Sequence, residues 1–288
     1  MKSCISTYSF HQLYATGFTR FDAIDKTKEF GCEGVELFLL PYDAPEGSTL
    51  REYALRLTEH AHKVGLEVPI YTTGADLFVR EPEREIEQLK KHIDIAAECG
   101  IPLLRHDIAN CFYPGFEGTK TYHSVIEYIA PLIRDITTYA KSKGVKTCSE
   151  NHGRLMQDSN RIEELFNAVK HPNYGLLCDI GNFGGVDENC AVAVSKLLEM
   201  IVHVHAKDAI LKSGMSYNPG RGFNRTRGGN YRRATIFGHG DVPAFQILSA
   251  IKASGYDGYV SLEFEGIEDT MMAVSISIEN LQRMIKDI

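Results

Sequence analysis

The sequence predicts a single (β/α)8 barrel formed by residues 1–288. Eight short apolar runs recur along the chain, and segments with helical periodicity separate them. Strand and helix alternate to the end of the chain without a low-complexity linker, as in parallel α/β folds. The segment after the first run lacks the G-x-G-x-x-G turn of a doubly wound dinucleotide fold. Because an open sheet rarely uses eight evenly repeated units, the pattern favours a closed barrel.

The predicted strands are runs rich in apolar and β-branched residues. They are residues 4–9, 34–38, 66–71, 102–107, 145–150, 174–179, 201–207 and 259–264. Between them lie predicted helices whose apolar residues recur three or four positions apart, such as Leu50, Tyr53 and Leu57. Several helices stop at a glycine that leads into the next strand, such as Gly65 and Gly100, which is typical of a helix C-terminus.

One connection is much longer than the others. Residues 208–241 form a long loop insertion between the seventh strand and its helix. Structureless loops of this length are uncommon and tend to be functional. Since a loop that follows a strand lies at the catalytic face of a barrel, we interpret this one as a lid or specificity loop. The alternative is an ordered segment that only packs against the barrel or against a second subunit.

Composition and charge argue against several classes of partner. The formal net charge of -7 at pH 7 disfavours nucleic acid, whose binding proteins usually carry a basic surface. The seven cysteines form no C-x-x-C pair, so neither a disulfide framework nor a zinc knuckle is expected. The N-terminus lacks the apolar core of a signal peptide, and no run is long enough for a membrane span. We therefore expect a cytoplasmic protein that binds neither nucleic acid nor membrane, with homo-oligomer formation left open.

Four successive predicted strands end in polar residues. These residues are Glu150 in VKTCSENH, Asp179 in YGLLCDIGN, His205 in IVHVHAKD and Glu263 in GYVSLEFEG. The last residues of barrel strands point toward the mouth of the barrel, and neighbouring strands lie about 5 Å apart. The four side chains are therefore expected to converge on one point. Taken singly, each could instead be a helix cap or a hydrogen-bond anchor.

Three carboxylates and one imidazole at one point are typical of a metal site. Carboxylates repel one another in a partly buried cleft unless a cation lies between them. We therefore expect one divalent metal ion, bound by Glu150, Asp179, His205 and Glu263. Hard carboxylate ligands favour Mg2+, Mn2+, Fe2+ or Co2+, and the imidazole also permits Zn2+. Mn2+ is the first choice.

Other polar residues near these strand ends are candidates for the substrate cleft, where some of them could hydrogen-bond a polyol. His203 shares the inward face of its strand with His205, two residues deeper, and is expected to be a buried structural residue. Lys207 shares that face on the side of the mouth. The remaining candidates are His106 at the end of the fourth strand, Asn151 and His152 after the fifth, Asn182 after the sixth, and Arg221 in the insertion.

The insertion is rich in arginine. The arginines that lie within thirteen residues of each other there are Arg221, Arg225, Arg227, Arg232 and Arg233. Arginine clusters recognise carboxylate or phosphate groups, and the rest of the chain is acidic. A solvated loop or a contact with a partner subunit is an equally strong alternative.

The motifs together resemble those of a known superfamily. GCEGVEL, SENHG, CDIGN, HVHAKD and the stretch from GHGDVPAF to LEFEG are similar to the xylose-isomerase-like TIM-barrel superfamily of sugar isomerases and epimerases. That superfamily includes D-tagatose 3-epimerase, hydroxypyruvate isomerase and inosose dehydratase. The resemblance covers nearly the whole chain. It implies that the four strand-end residues bind one divalent metal and that Glu150 and Glu263 flank the substrate as an acid/base pair.

Two positions depart from the epimerase pattern. Asn182 stands where the epimerases carry a histidine and Leu211 where they carry an arginine, while H-x-K-D around Lys207 resembles the inosose dehydratase branch. The resemblance implies an isomerase or epimerase that acts on a small keto-sugar or sugar derivative through an enediolate. The alternatives are a metal-dependent dehydratase of an inosose-like keto-polyol and a non-catalytic sugar-binding subunit. The acidic charge disfavours an apurinic endonuclease.

Overall fold

The computed structural model describes residues 1–153 and 155–288 and contains a closed barrel of parallel strands. The barrel strands are β1 (Lys2–Ser6), β2 (Gly34–Phe38), β3 (Tyr71–Thr73), β4 (Leu103–His106), β5 (Lys146–Glu150), β6 (Tyr174–Asp179), β7 (Ile201–Ala206) and β11 (Tyr259–Leu262). They follow one another around the barrel in chain order, and β11 pairs with β1 to close it. The predicted (β/α)8 fold class is therefore confirmed.

Helices accompany the strands along the chain. Those in the described residues are α1 (His11–Tyr14), α2 (Arg20–Glu29), α3 (Leu50–Lys63), α4 (Glu83–Glu98), α5 (Tyr122–Ser142), α6 (Ser159–Val169), α7 (Cys190–Leu197), α8 (Ala244–Ala253) and α9 (Thr270–Asp287). Short 3-10 helices occupy Thr7–Phe10, Asn182–Val186 and Leu198–Met200. None of the helices described here combines the length and the apolar character that a membrane span needs.

Local sequence explains where these helices begin and how they pack. At the start of α3, the Thr49 hydroxyl accepts a hydrogen bond from the Glu52 N–H, and the Glu52 carboxylate accepts one from the Thr49 N–H. This reciprocal capping box satisfies backbone donors that the first turn would otherwise leave unpaired. Tyr53, Leu57 and Ala61 recur at four-residue intervals and form the buried face of the helix. The apolar period of this segment therefore predicts its packing correctly.

Alternation along the strands places polar residues at the mouth of the barrel. An apolar cluster fills the barrel interior and consists of Ile70, Leu103, Cys148 and Leu177. Each of three cluster residues is followed, two positions later on the same strand face, by a polar residue. These polar residues are Arg105, Glu150 and Asp179. The apolar layer thus forms a floor beneath a polar site.

The third strand begins later than its sequence predicts. The apolar run predicts a strand over residues 66–71, whereas β3 spans Tyr71–Thr73. Upstream of β3, Glu67 makes an isolated bridge with Gly34. Pro69 has no N–H to donate to a ladder, which interrupts regular pairing at this point.

The glycines at two predicted helix ends have the expected conformation. Gly65 and Gly100, which the sequence places at helix ends, adopt φ angles of 79° and 70° in the left-handed region. The seven cysteines all lie in the described part of the chain, and each is unpaired.

The long segment after β7 contains an antiparallel sheet, which differs from the loop that the sequence predicts. Its strands are β8 (Asp208–Lys212), β9 (Asn224–Arg225) and β10 (Tyr231–Thr235), and β10 lies between the other two. We call residues 208–241 the insert. Charged residues such as Arg232 and Arg233 interrupt these short strands, so they lack the apolar pattern by which strands are predicted.

The Asp208 carboxylate closes the base of the insert. Its Oδ1 accepts hydrogen bonds from the N–H groups of Ala209 at 2.7 Å and Val242 at 3.2 Å. Its Oδ2 accepts hydrogen bonds from the N–H groups of Gly238 and Gly240, each at 2.9 Å. Asp208 therefore orients its neighbours and holds the end of the insert next to its beginning.

Candidate metal centre

The four predicted metal ligands converge at the mouth of the barrel. Glu150 and Asp179 end β5 and β6. His205 lies one residue before the end of β7, and Glu263 directly follows β11. These strands are neighbours in the barrel, and one ligand atom from each of the four residues lies within 4.8 Å of the others. Three of the residues are buried, and the Glu263 side chain is 10% exposed.

Two atoms of this group remain available to a metal ion. The Asp179 carboxylate is fixed through Oδ1, which accepts hydrogen bonds from the N–H groups of Gly181 at 2.8 Å and Asn182 at 3.0 Å. Its Oδ2 and the Nδ1 atom of His205 are buried without a hydrogen-bond partner among the described residues. Burying such an atom is costly, and both atoms are of types that ligate divalent metals. The donor set therefore fits one divalent cation.

Glu36 in β2 supports His205 and is a residue that the strand ends do not predict. His205 Nε2 donates to Glu36 Oε2 at 2.9 Å, and Thr72 Oγ1 donates to Glu36 Oε1 at 3.0 Å. Because Nε2 donates to Glu36, Nδ1 is the ring nitrogen that offers its lone pair to a metal once it has lost its own proton. Burial opposes ionisation of Glu36, but the charges of His205 and His203 outweigh it and hold its pKa well below its usual range. The signal in the sequence is a single acidic residue within the apolar run GVELF.

His203 lies beneath His205 on the same strand face. Its Nε2 is 2.7 Å from Ser261 Oγ and 3.4 Å from Glu36 Oε2, and the residue is buried. Glu36, His203 and His205 also offer donor atoms within 4.8 Å of one another. Since hydrogen bonds already engage the Nε2 atoms of both histidines, we assign this group to the support of the metal centre.

Two buried cations share the charge of the carboxylates. Arg105 Nη2 lies 2.6 Å from Glu150 Oε2. Lys207 Nζ contacts Glu263 and lies 3.0 Å from Asp179 Oδ2. The expectation that a metal is needed to relieve carboxylate repulsion is therefore too strong, because these two side chains relieve part of it. The metal assignment depends instead on the convergence of donors and on Asp179 Oδ2 and His205 Nδ1, which make ion-pair contacts with Lys207 and Glu263 but no hydrogen bond in the described residues.

These surroundings shift the pKa values of the two glutamates in opposite directions. Burial raises the pKa of Glu150 by more than the charge of Arg105 lowers it. Burial also acts on Glu263, but the charges of Lys207 and His205 outweigh it and hold its pKa well below its usual range. At His205, burial disfavours the charged ring, but neighbouring carboxylates outweigh it and raise its pKa well above the usual value. Metal binding at Nδ1 is therefore expected to release a proton.

A cavity of about 100 Å3 opens at the site. Two predicted substrate-binding residues, Lys207 and His152, line it together with Tyr8 and Glu265. Lys207 Nζ lies 3.2 Å from Glu265 Oε2, and His152 Nδ1 donates to Asp107 Oδ1 at 3.0 Å. Burial lowers the pKa of His152, but its hydrogen bond to Asp107 outweighs this and raises the pKa to about 9. The cavity therefore presents three cationic side chains to a ligand, those of Lys207, His152 and Arg105.

The two predicted asparagines bond to the ligand residues. Asn182 Nδ2 donates to Glu150 Oε1 at 2.9 Å, so it orients that carboxylate. Asn151 Nδ2 donates to the Asp179 carbonyl at 2.9 Å, and its Oδ1 accepts from the Asp179 N–H at 2.8 Å. These bonds use both ends of the Asn151 amide and tie the segment after β5 to β6. Asn151 does not line the cavity at the site.

His106 and Arg221 lie away from the cleft. The alternation that turns Arg105 inward turns the next residue outward, and His106 is fully buried there. Its Nδ1 donates to the Asp107 carbonyl at 2.8 Å, and burial lowers its pKa to about 4. Arg221 is exposed in the insert and does not line the cavity at the site. Arg105 and Asp107 occupy the cleft position that the sequence assigns to His106.

A larger cavity of about 760 Å3 adjoins the first, since Tyr8 and Glu265 line both. The insert supplies much of its wall. The lining residues from the insert are Gly222, Asn224, Arg225, Thr226, Arg227, Arg232, Arg233 and Ala234. This geometry supports the interpretation of the insert as an extension of the substrate cleft, which remains a prediction.

The sequence is similar to known proteins along most of its length. It matches the family described as xylose isomerase-like TIM barrel over residues 24–285. It is 27% identical over 245 residues to the uncharacterised protein MJ1311 of Methanocaldococcus jannaschii, a match that covers 78% of this chain and 74% of that protein.

Solved structures share the fold at low sequence identity. The probable 3-DHS dehydratase AsbF of Bacillus anthracis matches with a TM-score of 0.73 and 21% identity, covering 98% of this chain and 99% of that chain. A D-tagatose 3-epimerase-like protein matches with a TM-score of 0.69 and 19% identity, covering 100% and 99%. A xylose isomerase-like TIM barrel protein from Mycobacterium smegmatis, in complex with magnesium, matches with a TM-score of 0.69 and 15% identity, covering 93% and 88%. At these identities the structures show similarity of fold alone.

Proposed function

Because the chain belongs to the xylose isomerase-like TIM barrel family, we propose that it is a divalent-metal-dependent isomerase or epimerase of a small keto-sugar or sugar derivative. The observation that carries this proposal is the convergence of three carboxylates and an imidazole at the barrel mouth. Two of their donor atoms lack hydrogen-bond partners within the described chain. An epimerase-like protein is among those that share the fold, and we extend that reaction class to this chain.

In this proposal the metal ion is held by the four convergent residues, Glu150, Asp179, His205 and Glu263. Carboxylate ligands with one imidazole suit Mn2+, which is our first choice, and also Mg2+, which is present in one structure of this fold. When bound, the metal would supply Lewis-acid stabilisation of charge at a substrate carbonyl and its neighbouring hydroxyl.

The two glutamates are placed to move a proton. Glu150 and Glu263 belong to the first and last of four neighbouring strands, so they flank a substrate that lies over Asp179 and His205. One carboxylate takes the proton from the carbon next to the carbonyl, which leaves an enediolate. Return of a proton to that carbon from the other face gives an epimer, and return to the neighbouring carbon gives an aldose–ketose isomer.

Neighbouring donors fix the direction of these carboxylates. Arg105 Nη2 lies 2.6 Å from Glu150 Oε2, and Asn182 Nδ2 donates to Glu150 Oε1 at 2.9 Å. On the opposite flank, Lys207 Nζ contacts Glu263. Groups held in this way lose little freedom during the reaction and stabilise charge where it develops.

Lys207 favours a second candidate function, a metal-dependent dehydratase of a keto-polyol. Its ammonium is buried beside Glu263 and lines the small cavity. After removal of the same α-proton, Lys207 would give a proton to a β-hydroxyl, which leaves as water. A probable 3-DHS dehydratase is also among the proteins that share the fold.

Hydrogen exchange in D2O tests both candidates because each begins with removal of the α-proton. Mn2+-loaded protein is incubated with small ketoses and keto-polyols, and NMR and mass spectrometry follow deuterium uptake, isomer formation and loss of water. We expect exchange in the wild type, its loss after EDTA treatment, and its recovery on addition of Mn2+. Full exchange in EDTA-treated, metal-free protein would contradict the proposal.

Three variants sharpen this test. Glu263→Gln with its metal retained is expected to slow exchange by about 10²–10⁴-fold, whereas Glu279→Gln, exposed on α9, is expected to match the wild type. Lys207→Met should abolish loss of water in a dehydratase and leave isomerisation detectable in an isomerase. A protein that binds ketoses in calorimetry but never exchanges their hydrogen would be the non-catalytic sugar-binding subunit.

A further inference from the structure

The larger cavity is of a size and position that suit part of a substrate. Its volume of about 760 Å3 lies within the range of small-molecule sites, about 300–1,000 Å3. Tyr8 and Glu265 line both this cavity and the smaller one at the metal centre. A ligand whose reacting carbons lie at the metal centre therefore extends naturally into the larger cavity.

Arg232 on β10 has few partners inside the protein. Its Nη2 donates to Asn182 Oδ1 at 3.5 Å, the outer limit of a hydrogen bond. Its Nε is buried and has no hydrogen-bond partner in residues 1–153 and 155–288, and no carboxylate in those residues forms an ion pair with it. A buried donor without an acceptor costs free energy unless a ligand supplies the acceptor.

Arg233 shows the same deficit beside it. Its Nη2 donates to Glu268 Oε1 at 3.3 Å, while its Nε is buried without a partner in the part of the chain that the structure describes. Two guanidinium groups that line one cavity therefore each retain an unused buried N–H. A planar guanidinium matches the oxygens of phosphate and carboxylate groups with parallel hydrogen bonds.

The charge around the cavity is also one-sided. Four arginines line it, and Glu265 is the acidic residue among the lining residues. Glu265 already lies 3.2 Å from Lys207 Nζ, so its charge is matched on the side of the metal centre. Asp158 lies 2.6 Å from Arg227 Nη1 and Glu268 lies 3.3 Å from Arg233 Nη2, so the positive charge that no carboxylate of the described chain matches belongs to Arg225 and Arg232.

We infer that this cavity binds a phosphate or carboxylate group of the substrate through Arg232 and Arg233. The inference rests on the proposed function and names its substrate class, which is an anionic keto-sugar derivative, not a neutral sugar. The anion accepts hydrogen bonds from the guanidinium groups that line the cavity, and the two Nε atoms without partners in the described residues show that the protein does not itself saturate these groups. Arg225 on β9 lies at the exposed side of the same cavity and adds to its charge.

A chain of side chains connects the anion site to the reacting groups. Arg232 contacts Asn182, and Asn182 in turn donates to Glu150 Oε1 at 2.9 Å. An anion that orders Arg232 therefore also orders the amide that positions Glu150. The substrate is then held at two points, the metal centre and the arginines, which fixes the reacting carbon between the two glutamates.

Calorimetric titration of the full-length protein tests the anion site without any chemistry. The probes are inorganic phosphate and malonate, added in EDTA at low ionic strength to wild type, Arg232→Gln, Arg233→Gln and Arg232→Lys. Lys212→Gln is the matched control, because it removes one exposed positive charge from β8 of the same sheet. We expect at least about tenfold weaker binding for the two glutamine variants and little change for the control. Arg232→Lys should fall between, since it keeps the charge and loses the planar fork.

The two probes separate the two sources of an oxyanion. Tighter binding of phosphate assigns a phosphorylated substrate, and tighter binding of malonate assigns a carboxylated one. Thermal unfolding of each variant shows whether it folds. No binding of either anion by the wild type, or equal binding by folded Arg232→Gln and Arg233→Gln, would overturn the inference.

A kinetic comparison separates this inference from the proposed function. Mn2+-loaded wild type is given a ketopentose and its 5-phosphate, and a ketohexose and a keto-acid of the same carbon number, in D2O. We expect faster α-hydrogen exchange for the anionic member of one pair and a raised KM for it in Arg232→Gln. If the neutral ketoses exchange equally fast and Arg232→Gln leaves KM unchanged, the anion site is refuted while the reaction class stands. If no compound exchanges but anion binding depends on the arginines, the reaction class fails while the anion site stands.

Discussion

Glu36→Gln should weaken metal binding without removing a metal ligand. The substitution keeps the shape of the side chain but replaces a buried carboxylate, 2.9 Å from His205 Nε2, by a neutral amide. A hydrogen bond to a charged group contributes about 1.5–3 kcal/mol, compared with about 0.5–1.5 kcal/mol for a neutral one. The substitution should therefore cost about 1–2 kcal/mol of metal-binding free energy, which corresponds to a roughly 5- to 30-fold higher Kd for the metal.

Proton competition at His205 reduces this effect without reversing it. Glu36 raises the affinity of His205 for a proton as well as for a metal. Glu36→Gln therefore also weakens binding of the proton that competes with the metal for the ring. Burial opposes the charged ring, but Glu36 and Glu263 outweigh it and raise its pKa well above its usual value. A divalent ion carries twice the charge of a proton, so the loss of a negative neighbour weakens metal binding more than proton binding.

Mn2+ titration followed by electron paramagnetic resonance measures this prediction directly, because free Mn2+ gives a distinct signal. Glu67→Gln is the control, since it removes an exposed carboxylate close to the start of β2. Circular dichroism confirms that both variants fold. A folded Glu36→Gln protein with the Mn2+ Kd of the wild type would show that Glu36 does not position His205 for a metal.

The remaining predictions address the ligands, the insert and the core. Asp179→Asn should lower Mn2+ occupancy, measured by elemental analysis, by more than tenfold, because charge is lost from a ligand whose Oδ2 lacks a hydrogen-bond partner in the described chain. Replacing residues 213–230 by Asn-Gly joins β8 to β10 directly, since Lys212 pairs with Tyr231. This deletion should raise KM or change substrate choice more than it lowers the thermal midpoint. His92, buried and hydrogen-bonded to Tyr71 at 2.8 Å, should make the free energy of unfolding fall by about 3 kcal/mol between pH 6.5 and pH 4.

The sign of the last prediction follows from the pKa of His92. Burial lowers its pKa from 6.5 to about 4, so the unfolded chain binds more protons than the folded protein between these two values. Stability is therefore complete above pH 6.5 and is lost as the pH falls toward 4. Urea titrations of the wild type and His92→Phe measure it, and the variant should show a shallower slope across this window. Equal slopes would assign the acid sensitivity to other groups, such as His106.

Unchanged kinetics in the shortened insert, together with loss of an oligomer, would identify the insert as an assembly element. Full Mn2+ occupancy in Asp179→Asn would remove that residue from the ligand set.

The barrel and the four strand-end residues are predictable because both follow from a local pattern. Apolar runs of regular spacing predict the strands, and the period of two along β5 and β6 turns Glu150 and Asp179 toward the mouth. The third strand is predicted to begin five residues and to end two residues too early, because its apolar run contains Pro69 and apolar character alone does not reveal the missing N–H.

Residues whose role depends on distant partners are not predictable in this way. Glu36 acts through His205, which lies 169 positions away in the chain. It stands in the middle of β2, where a search for polar residues at strand ends does not find it. The counter-charges of Arg105 and Lys207 escape prediction for the same reason, since only the closed barrel brings them to the carboxylates. Arg221 has the same residue type as Arg232, and only the pairing of β8 with β10 shows which of them faces the cavity.

The hydrogen bonds of the Asp208 carboxylate make the insert a separable module. Because one carboxylate collects the N–H groups of Ala209, Gly238, Gly240 and Val242, the two ends of the insert meet at a single point on the barrel rim. The two ends therefore stay joined whatever the length of the residues between them, and the contacts that the insert makes with the barrel, such as Arg232 with Asn182 and Arg233 with Glu268, lie near its C-terminal end. An enzyme engineer can therefore exchange the insert for one from another barrel that carries the same aspartate and G-x-G-D turn. Such an exchange would alter substrate choice while the metal centre is kept.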